Sequence, residues 1–195
     1  MGGGLSASER AVLWWLARKM PDPGRVCQLG VWRGASVILF LEAFANRHLS
    51  ITGIDGFDLD GISVCSGQAA VAISEAEANI EHHARPWHDL SLFKSDTRGL
   101  LDLPNAPFDL IFVDAGHTAE CVVNDLRLAM AAVARGGLIV LHDYGEPAWP
   151  EVKTVATRLL GDPQWRRQRL AGWNKGWFER TVRAPWETDG GGDND

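Results

Sequence analysis

The feature that most restricts the fold is a regular alternation between short apolar runs and longer segments with helical periodicity. The apolar runs, each about as long as a strand, are RVCQL, LSITGID, SLFKSD, FDLIFVD and GLIVLHD. The helical segments between them are 34–46, 68–84, 118–134 and 150–160. Strands that alternate with helices pair in parallel, because each helix carries the chain back to the same edge of the sheet. The sequence therefore predicts a doubly wound α/β domain.

The two ends of the chain extend this pattern. Ser6 and Glu9 have the spacing of a capping box, so we expect a first helix that begins there and reaches Met20. After Gly161, the segments WRRQRLAG and GWFERTV resemble two strands joined by the turn-forming GWNKG. They predict a C-terminal antiparallel hairpin, and with it a Rossmann-like, mostly parallel sheet of seven strands.

Composition favours a single domain over residues 1–186. A chain of 195 residues with 46% apolar content can bury one substantial core. The segment ETDGGGDND, residues 187–195, is rich in glycine and acid and predicts a disordered acidic tail. It holds four of the charges behind the formal net charge of −6, which leaves the body near −2. The body has no basic field for nucleic acid.

The cysteines and the N-terminal apolar run predict a cytoplasmic protein with no membrane partner. Cys27, Cys65 and Cys121 are odd in number and far apart, which favours reduced thiols over a disulfide framework or a zinc site. The apolar run AVLWWLA has only seven residues and lies between Arg10 and Arg18. It is too short for a membrane span and lacks the pattern of a signal peptide.

Polar residues and glycines follow the predicted strands at the point where each strand ends. Ligands of open parallel sheets bind beyond the carboxyl ends of the strands, so these residues are the candidates for a site. In chain order they are Gly30, Asp55, Asp96, Asp114 with His117, and His142 with Asp143.

The segment VCQLGVWRGAS places Gly30 and Gly34 where the first strand turns into a helix. Bare backbone and the free N–H groups of a helix start can receive a carboxylate or a phosphate, although tight packing alone also explains such glycines. The spacing lacks the middle glycine of GxGxxG, which argues against NAD. Asp55 is suited to accept hydrogen bonds from both ribose hydroxyls of a nucleoside, with a turn or cap aspartate as its structural alternative.

The ordered set VCQLGVWRGAS, ITGIDGF, FKSDT, FDLIFVDAGH and GGLIVLHDY resembles the class I S-adenosylmethionine-dependent methyltransferases. Within them it is most similar to bacterial small-molecule O-methyltransferases related to the macrocin, catechol and caffeoyl-CoA enzymes. The resemblance spans about residues 25–160. It implies methyl transfer from S-adenosylmethionine to a hydroxyl oxygen of a small molecule.

The resemblance also implies a role for each residue at the strand ends. The loop from Gly30 through Gly34 to Ser36 would hold the methionine part of the cofactor, and Gln28 stands where the family usually has an acid. Asp55 would bind the ribose hydroxyls, and Asp96, with Thr97 beside it, would bind the adenine amino group. Asp114 would face the sulfonium.

Two routes are open for removing the proton of the acceptor. In the first, a divalent cation such as Mg²⁺, bound by Asp114 and Asp143, lowers the pKa of the hydroxyl. The resemblance implies a pair of ligands after the fifth strand, and Tyr144 stands at the second position. In the second, His117 is the general base, with a helix-capping histidine as the alternative. His142 is a further catalytic candidate that could equally be a buried, satisfied imidazole.

Two other functions stay open at this point. Gln28 and Tyr144 favour a non-catalytic protein that binds S-adenosylmethionine or acts as a scaffold. A nicotinamide oxidoreductase would share the sheet and the ribose acid, but the sequence lacks GxGxxG and an evident Tyr/Lys hydride relay. Trp149 could stack on a ring-shaped acceptor or serve as packing. A homo-oligomer that pairs through the helices at 8–20 and 68–84 is also left open.

Overall fold

The computed structural model describes residues 5–59 and 71–160 with their side chains, together with the backbone of 165–168 and 177–181. Five strands form the body of the sheet: β1 (Gly24–Leu29), β2 (Leu49–Asp55), β3 (His88–Lys94), β4 (Phe108–Val113) and β5 (Val133–Leu141). The helices are α1 (Ala7–Lys19), α2 (Ala35–Ala43), α3 (Ile73–Glu81), α4 (Ala119–Ala132) and α5 (Pro150–Leu159).

The five strands pair in parallel in the order β3-β2-β1-β4-β5. The chain thus runs outward from β1 to one edge and then returns to build the other half from β4. A doubly wound sheet has its switch point between those two central strands, and ligands bind at the carboxyl ends there. The ends are tied together by the backbone, since the N–H of Asp114 donates to the carbonyl of Leu29 at 2.8 Å.

The prediction of a seven-stranded sheet that closes in a C-terminal hairpin is corrected by the structure. The sheet described with its side chains has five strands, all parallel. Beyond β5 lie only two short backbone segments, β6 (Trp165–Gln168) and β7 (Trp177–Thr181), which pair antiparallel in the order β5-β7-β6. The predicted GWNKG turn lies outside the described residues, so a closed hairpin, two strands together with their turn, is not part of the described chain. WRRQRLAG offers Trp165 and Leu170 as its only large apolar side chains, which is a weak basis for a long strand.

Helices cover both faces of the five-stranded sheet, and each face has its own core. Alternate strand residues point to opposite faces, so Val26 packs with Phe40 under α1, α2 and α3. Its neighbour Cys27 packs with Leu126 under α4 and α5. Cys27 is fully buried and free, and burial raises the pKa of its thiol. Cys121 is also buried.

The first helix begins as predicted. The Ser6 side chain accepts a hydrogen bond from the Glu9 N–H at 3.3 Å, and the Glu9 carboxylate accepts one from the Ser6 N–H at 2.6 Å. None of the described helices has the length and hydropathy needed to cross a membrane. Cys65, residues 68–70 of the predicted second helical segment and the predicted tail 187–195 lie outside the described residues.

Candidate active site

The loop between β1 and α2 carries a strict backbone constraint. Gly30 has a φ of +85°, and a Cβ at this position would lie 2.0 Å from the carbonyl oxygen of Asp114. Only glycine satisfies both conditions. Gly34 caps α2, and a Cβ there would meet the side chain of Ile80 at 2.6 Å. The two glycines therefore have a packing role that brings the end of β1 against the end of β4 and α2 against α3.

Asp55, at the end of β2, organises this loop. Its Oδ2 accepts hydrogen bonds from the N–H groups of Val31 and Trp32, both at 2.7 Å. Its Oδ1 accepts one from the N–H of Phe57 at 2.6 Å. A carboxylate offers about four lone-pair sites. The three bonds from the chain leave room for a further donor at Asp55.

Gln28 and Ser36 lie beneath the loop. The Gln28 amide nitrogen donates to the carbonyl of Gly30 at 2.7 Å and also contacts the Ser36 hydroxyl. The side chain is 1% exposed, and among the described residues its Oε1 has no hydrogen-bond partner. A buried acceptor without a partner is costly. The arrangement thus suits a ligand that brings an N–H donor to this oxygen.

Asp96 and Thr97 are engaged close to β3. The Asp96 carboxylate binds Arg98, with Nη2 to Oδ2 at 2.7 Å, and this interaction lowers the pKa of Asp96. The Thr97 hydroxyl donates to Oδ1 of Asp125 on α4 at 2.6 Å. Burial raises the pKa of Asp125 to about 7. The side chains of Asp96 and Thr97 thus pair with Arg98 and Asp125, and not with Asp114, His117, His142 or Asp143.

The residues that follow β4 and β5 form one cluster. Asp143 Oδ2 lies 2.8 Å from Nε2 of His117 and 2.9 Å from Nδ1 of His142. Asp114 Oδ1 lies 3.3 Å from the same Nδ1 of His142. The structure thus brings together four of the residues that the sequence analysis selected. It also holds Asp143 at a φ of +56°, a strained backbone that is common at functional sites.

Glu9 belongs to this cluster, and the sequence analysis missed it. Its Oε1 lies 3.3 Å from Nε2 of His142, on the other side of the ring from Asp114 and Asp143. The capping box assigned Glu9 entirely to the start of α1. No signal in the sequence shows that the same carboxylate also reaches the end of β5.

The charges in the cluster shift one another's pKa values. Burial works against a charged His142, but the nearby carboxylates, Asp143 and Glu9 first, outweigh it and raise the pKa of His142 to about 11. Burial likewise opposes the charge of Asp143, yet His117 and His142 lower its pKa overall. The Asp114 side chain is 30% exposed, but loss of hydration, opposed by His142, still raises its pKa to about 6. At neutral pH the cluster therefore holds a charged His142 among three carboxylates.

His117 is held on two sides. Nε2 bonds to Asp143, and the ring stacks on Trp149 with 4.4 Å between centroids and 14° between planes. The side chain is 9% exposed, and Nδ1 has no hydrogen-bond partner among the described residues. The cap of α4 is Thr118, whose hydroxyl accepts from the Cys121 N–H. His117 is therefore not the helix cap.

Three side chains of the cluster could hold a cation. One ligand atom each from Asp114, His117 and Asp143 lies within 4.8 Å of the others. Two carboxylates and an imidazole form a set that suits several divalent metals. Tyr144 is buried, and its hydroxyl lies 3.0 Å from that of Thr157 on α5. This orientation removes Tyr144 from the candidate ligands.

Comparison with protein-family models identifies a family for this chain. A family model described as a methyltransferase domain matches residues 27–144. Protein R132 of Acanthamoeba polyphaga mimivirus is 29% identical over 140 residues, a match that spans 70% of this chain. The chain covers 59% of the length of that relative.

Solved structures show the same fold. The O-methyltransferase NovP has a TM-score of 0.66 at 20% identity, with coverage of 90% of this chain and 79% of that chain. An O-methyltransferase from Bacillus cereus in complex with SAH has a TM-score of 0.66 at 14% identity, with coverage of 94% and 84%. TomG from Streptomyces achromogenes, in complex with SAM, has a TM-score of 0.62 at 18% identity, with coverage of 93% and 82%. Because the family model matches more than half of the sequence, the chain belongs to the methyltransferase-domain family.

Proposed function

We propose that this methyltransferase transfers a methyl group from S-adenosylmethionine to a hydroxyl oxygen of a small molecule. One observation carries the proposal: the Asp114, His117 and Asp143 cluster lies beside a glycine loop whose backbone touches Asp114. A group that removes a proton is thereby next to a loop suited to the cofactor. The structural neighbours NovP and TomG, both O-methyltransferases, support the choice of oxygen.

The residues around the loop fit S-adenosylmethionine. When bound, this cofactor supplies a methyl group activated by a positively charged sulfur. The N–H groups at the start of α2 would meet its carboxylate, and the unpaired Oε1 of Gln28 would accept from its ammonium group. The remaining lone-pair site of Asp55 would accept from a ribose hydroxyl. Asp96, with Thr97 beside it, is proposed for the adenine amino group.

The same cluster suits the positive sulfur. Three carboxylates and one charged imidazole leave the cluster net negative, which favours a cation at this point. Asp114 is the cluster member whose backbone contacts the loop at Gly30. We therefore place the methyl group to be transferred near Asp114.

His117 is proposed to take the proton of the acceptor. Its Nε2 donates to Asp143, which leaves the lone pair of the neutral ring on Nδ1. Because Nδ1 is buried, the side chains that cover it must move aside before the acceptor hydroxyl can reach it. A divalent cation on Asp114 and Asp143, with His117 as a third ligand, would instead supply a Lewis acid that lowers the pKa of the hydroxyl.

Binding and turnover test the proposal in two steps. Thermal shift with S-adenosylmethionine, S-adenosylhomocysteine and NAD should show stabilisation by the first two, because ligands of the native state raise its melting temperature. Catechols, phenols and sugars are then screened for production of S-adenosylhomocysteine. A shift with NAD alone would overturn the cofactor, and methyl transfer only to nitrogen or carbon would overturn the hydroxyl.

His117→Ala tests the role of His117, and chelation then separates the two routes of proton removal. If His117 is the base, the variant should lose about 10²- to 10⁴-fold in turnover and keep its affinity for S-adenosylhomocysteine. His83→Ala is the matched control, because His83 forms a similar pair with Glu42, also at 2.8 Å, away from the cluster. Dialysis against a chelator should leave a base-catalysed reaction intact. Loss of activity that Mg²⁺ or Mn²⁺ restores would support the cation route instead.

A further inference from the structure

Glu9 performs two tasks with its two carboxylate oxygens. Oε2 accepts the hydrogen bond from Ser6 that completes the cap of α1. Oε1 lies 3.3 Å from Nε2 of His142. The side chain is 8% exposed although it belongs to the first turn of a helix, where water usually solvates an acid. Its burial indicates that the second contact has a purpose beyond capping.

Both partners of this contact sit on rigid supports. Behind Glu9, Leu13 and Ala17 of α1 are fully buried in the same core as Phe112. Phe112 also meets the His142 ring edge-on, with 6.2 Å between centroids and 89° between planes. The distance between α1 and the end of β5 is thus set by core packing, and the Ser6 N–H holds one oxygen of the Glu9 carboxylate in place.

The position of Glu9 completes the surroundings of the His142 ring. Nδ1 faces Asp143 and Asp114 at 2.9 and 3.3 Å, whereas Nε2 faces Glu9. These contacts are ion pairs between the charged ring and the three carboxylates. Without Glu9, Nε2 would be a buried polar atom with no acidic neighbour among the described residues.

We propose that Glu9 is a positioning residue of the methyltransferase, which holds His142 so that its Nδ1 bridges Asp114 and Asp143. This inference rests on the proposed function, because it assigns Glu9 to the alignment of the cluster that removes the proton. Glu9 itself touches neither cofactor nor acceptor in this account. The lowered pKa of Glu9, which burial opposes and His142 promotes, is consistent with a carboxylate that stays charged.

Two substitutions separate positioning from capping. Glu9→Gln keeps the cap, because glutamine serves as well as glutamate at this place in a capping box, but it removes the charge that faces His142. Ser6→Ala removes the side-chain cap and leaves the Glu9 carboxylate. The ring nitrogens of His142 are followed by ¹⁵N NMR, with His142→Asn to assign them, and this measurement needs no acceptor.

Glu9→Gln should shift the His142 ring signals and lower turnover by about 10- to 100-fold, because the carboxylate that orients the His142 ring is lost. The KM for S-adenosylmethionine should change less than turnover, because the cluster keeps a net negative charge without Glu9. Ser6→Ala should lower stability and leave ring signals and turnover unchanged. Unchanged ring signals in Glu9→Gln, or the same shift in Ser6→Ala, would overturn the inference. Failure of the wild type to transfer methyl would count against the proposed function alone, because the NMR comparison would still decide whether Glu9 positions His142.

Discussion

Substitution of Gly30 by alanine should be the most damaging small change near the site. An alanine pays roughly 1–2 kcal/mol to adopt the left-handed conformation that a φ of +85° requires. Its Cβ would also lie 2.0 Å from the Asp114 carbonyl oxygen, 2.5 Å from the carbonyl carbon and 2.8 Å from Cα of Ala115. All three are backbone atoms, so no rotamer change relieves the clash.

The size of the clash follows from these distances. A carbon and an oxygen in contact are about 3.3 Å apart, so the ends of β1 and β4 must separate by roughly 1 Å. Overpacking of this kind costs about 1–3 kcal/mol, which brings the total for Gly30→Ala to roughly 2–5 kcal/mol. The same movement shifts Asp114, and a displacement of about 1 Å at a reacting group can reduce turnover about 10²-fold.

Gly136→Ala provides the matched control. Gly136 has a φ of +74°, but a Cβ there would have no atom within 4 Å. This variant should lose only the conformational term of roughly 1–2 kcal/mol and keep its activity. Urea unfolding of both variants measures the two free energies, and titration with S-adenosylhomocysteine measures the damage to the loop. Equal stability of the two variants, with unchanged ligand affinity in Gly30→Ala, would refute the reasoning.

Three further substitutions test the electrostatics. Gln28→Glu should destabilise the protein by about 1–3 kcal/mol, because it replaces the donor to the Gly30 carbonyl with a second acceptor. We expect this loss despite the acid that is usual in the family. A free energy of unfolding in urea equal to that of the wild type would contradict it. Folding raises the pKa of Asp125 from 3.8 to about 7, so between these values the folded protein keeps a proton that the unfolded chain has lost. The free energy of unfolding of the wild type should therefore fall as the pH rises through this range. Asp125→Asn, unfolded in urea at both ends of the range, should not show this fall. Folding raises the pKa of His142 from 6.5 to about 11, so its contribution to the free energy of unfolding is complete below pH 6.5 and declines as the pH rises toward 11. The difference in stability between wild type and His142→Asn should therefore shrink over that interval. A constant difference would argue against a charged ring.

The sheet was largely predictable because its pattern is local. The run LSITGID coincides with β2, Leu49–Asp55, where apolar residues are bounded by turns. The start of β3 was missed: the sequence suggested Ser91, but pairing of Leu49 with His88 begins the strand earlier. Tertiary pairing decided this boundary, and a single-strand pattern does not contain it. After α5 the pattern predicted the bounds poorly, since WRRQRLAG suggested a strand of eight residues and β6 is described only over Trp165–Gln168.

The site was predictable to the extent that topology alone places it. Strands β4 and β5 are neighbours and parallel, so the residues after them had to meet, as Asp114, His117 and Asp143 do. The exact partners were not predictable, because side-chain reach depends on packing. Asp96 binds Arg98, only two residues away, and Glu9 reaches His142 from the other end of the chain. Nothing in the sequence of α1 indicates that the Glu9 side chain contacts His142 and is not exposed to solvent.

Because Cys27 is buried in the central strand, the reactivity of its thiol reports how often the sheet opens. β1 is flanked on both sides, by β2 and β4, and the thiol is fully buried between them and the helices. A thiol-reactive dye can therefore modify Cys27 only when the middle of the sheet opens. In a variant with serine at positions 65 and 121, the rate of labelling of Cys27 would measure how often the sheet opens. A slower rate with a bound nucleoside would measure how far the ligand stabilises the closed sheet.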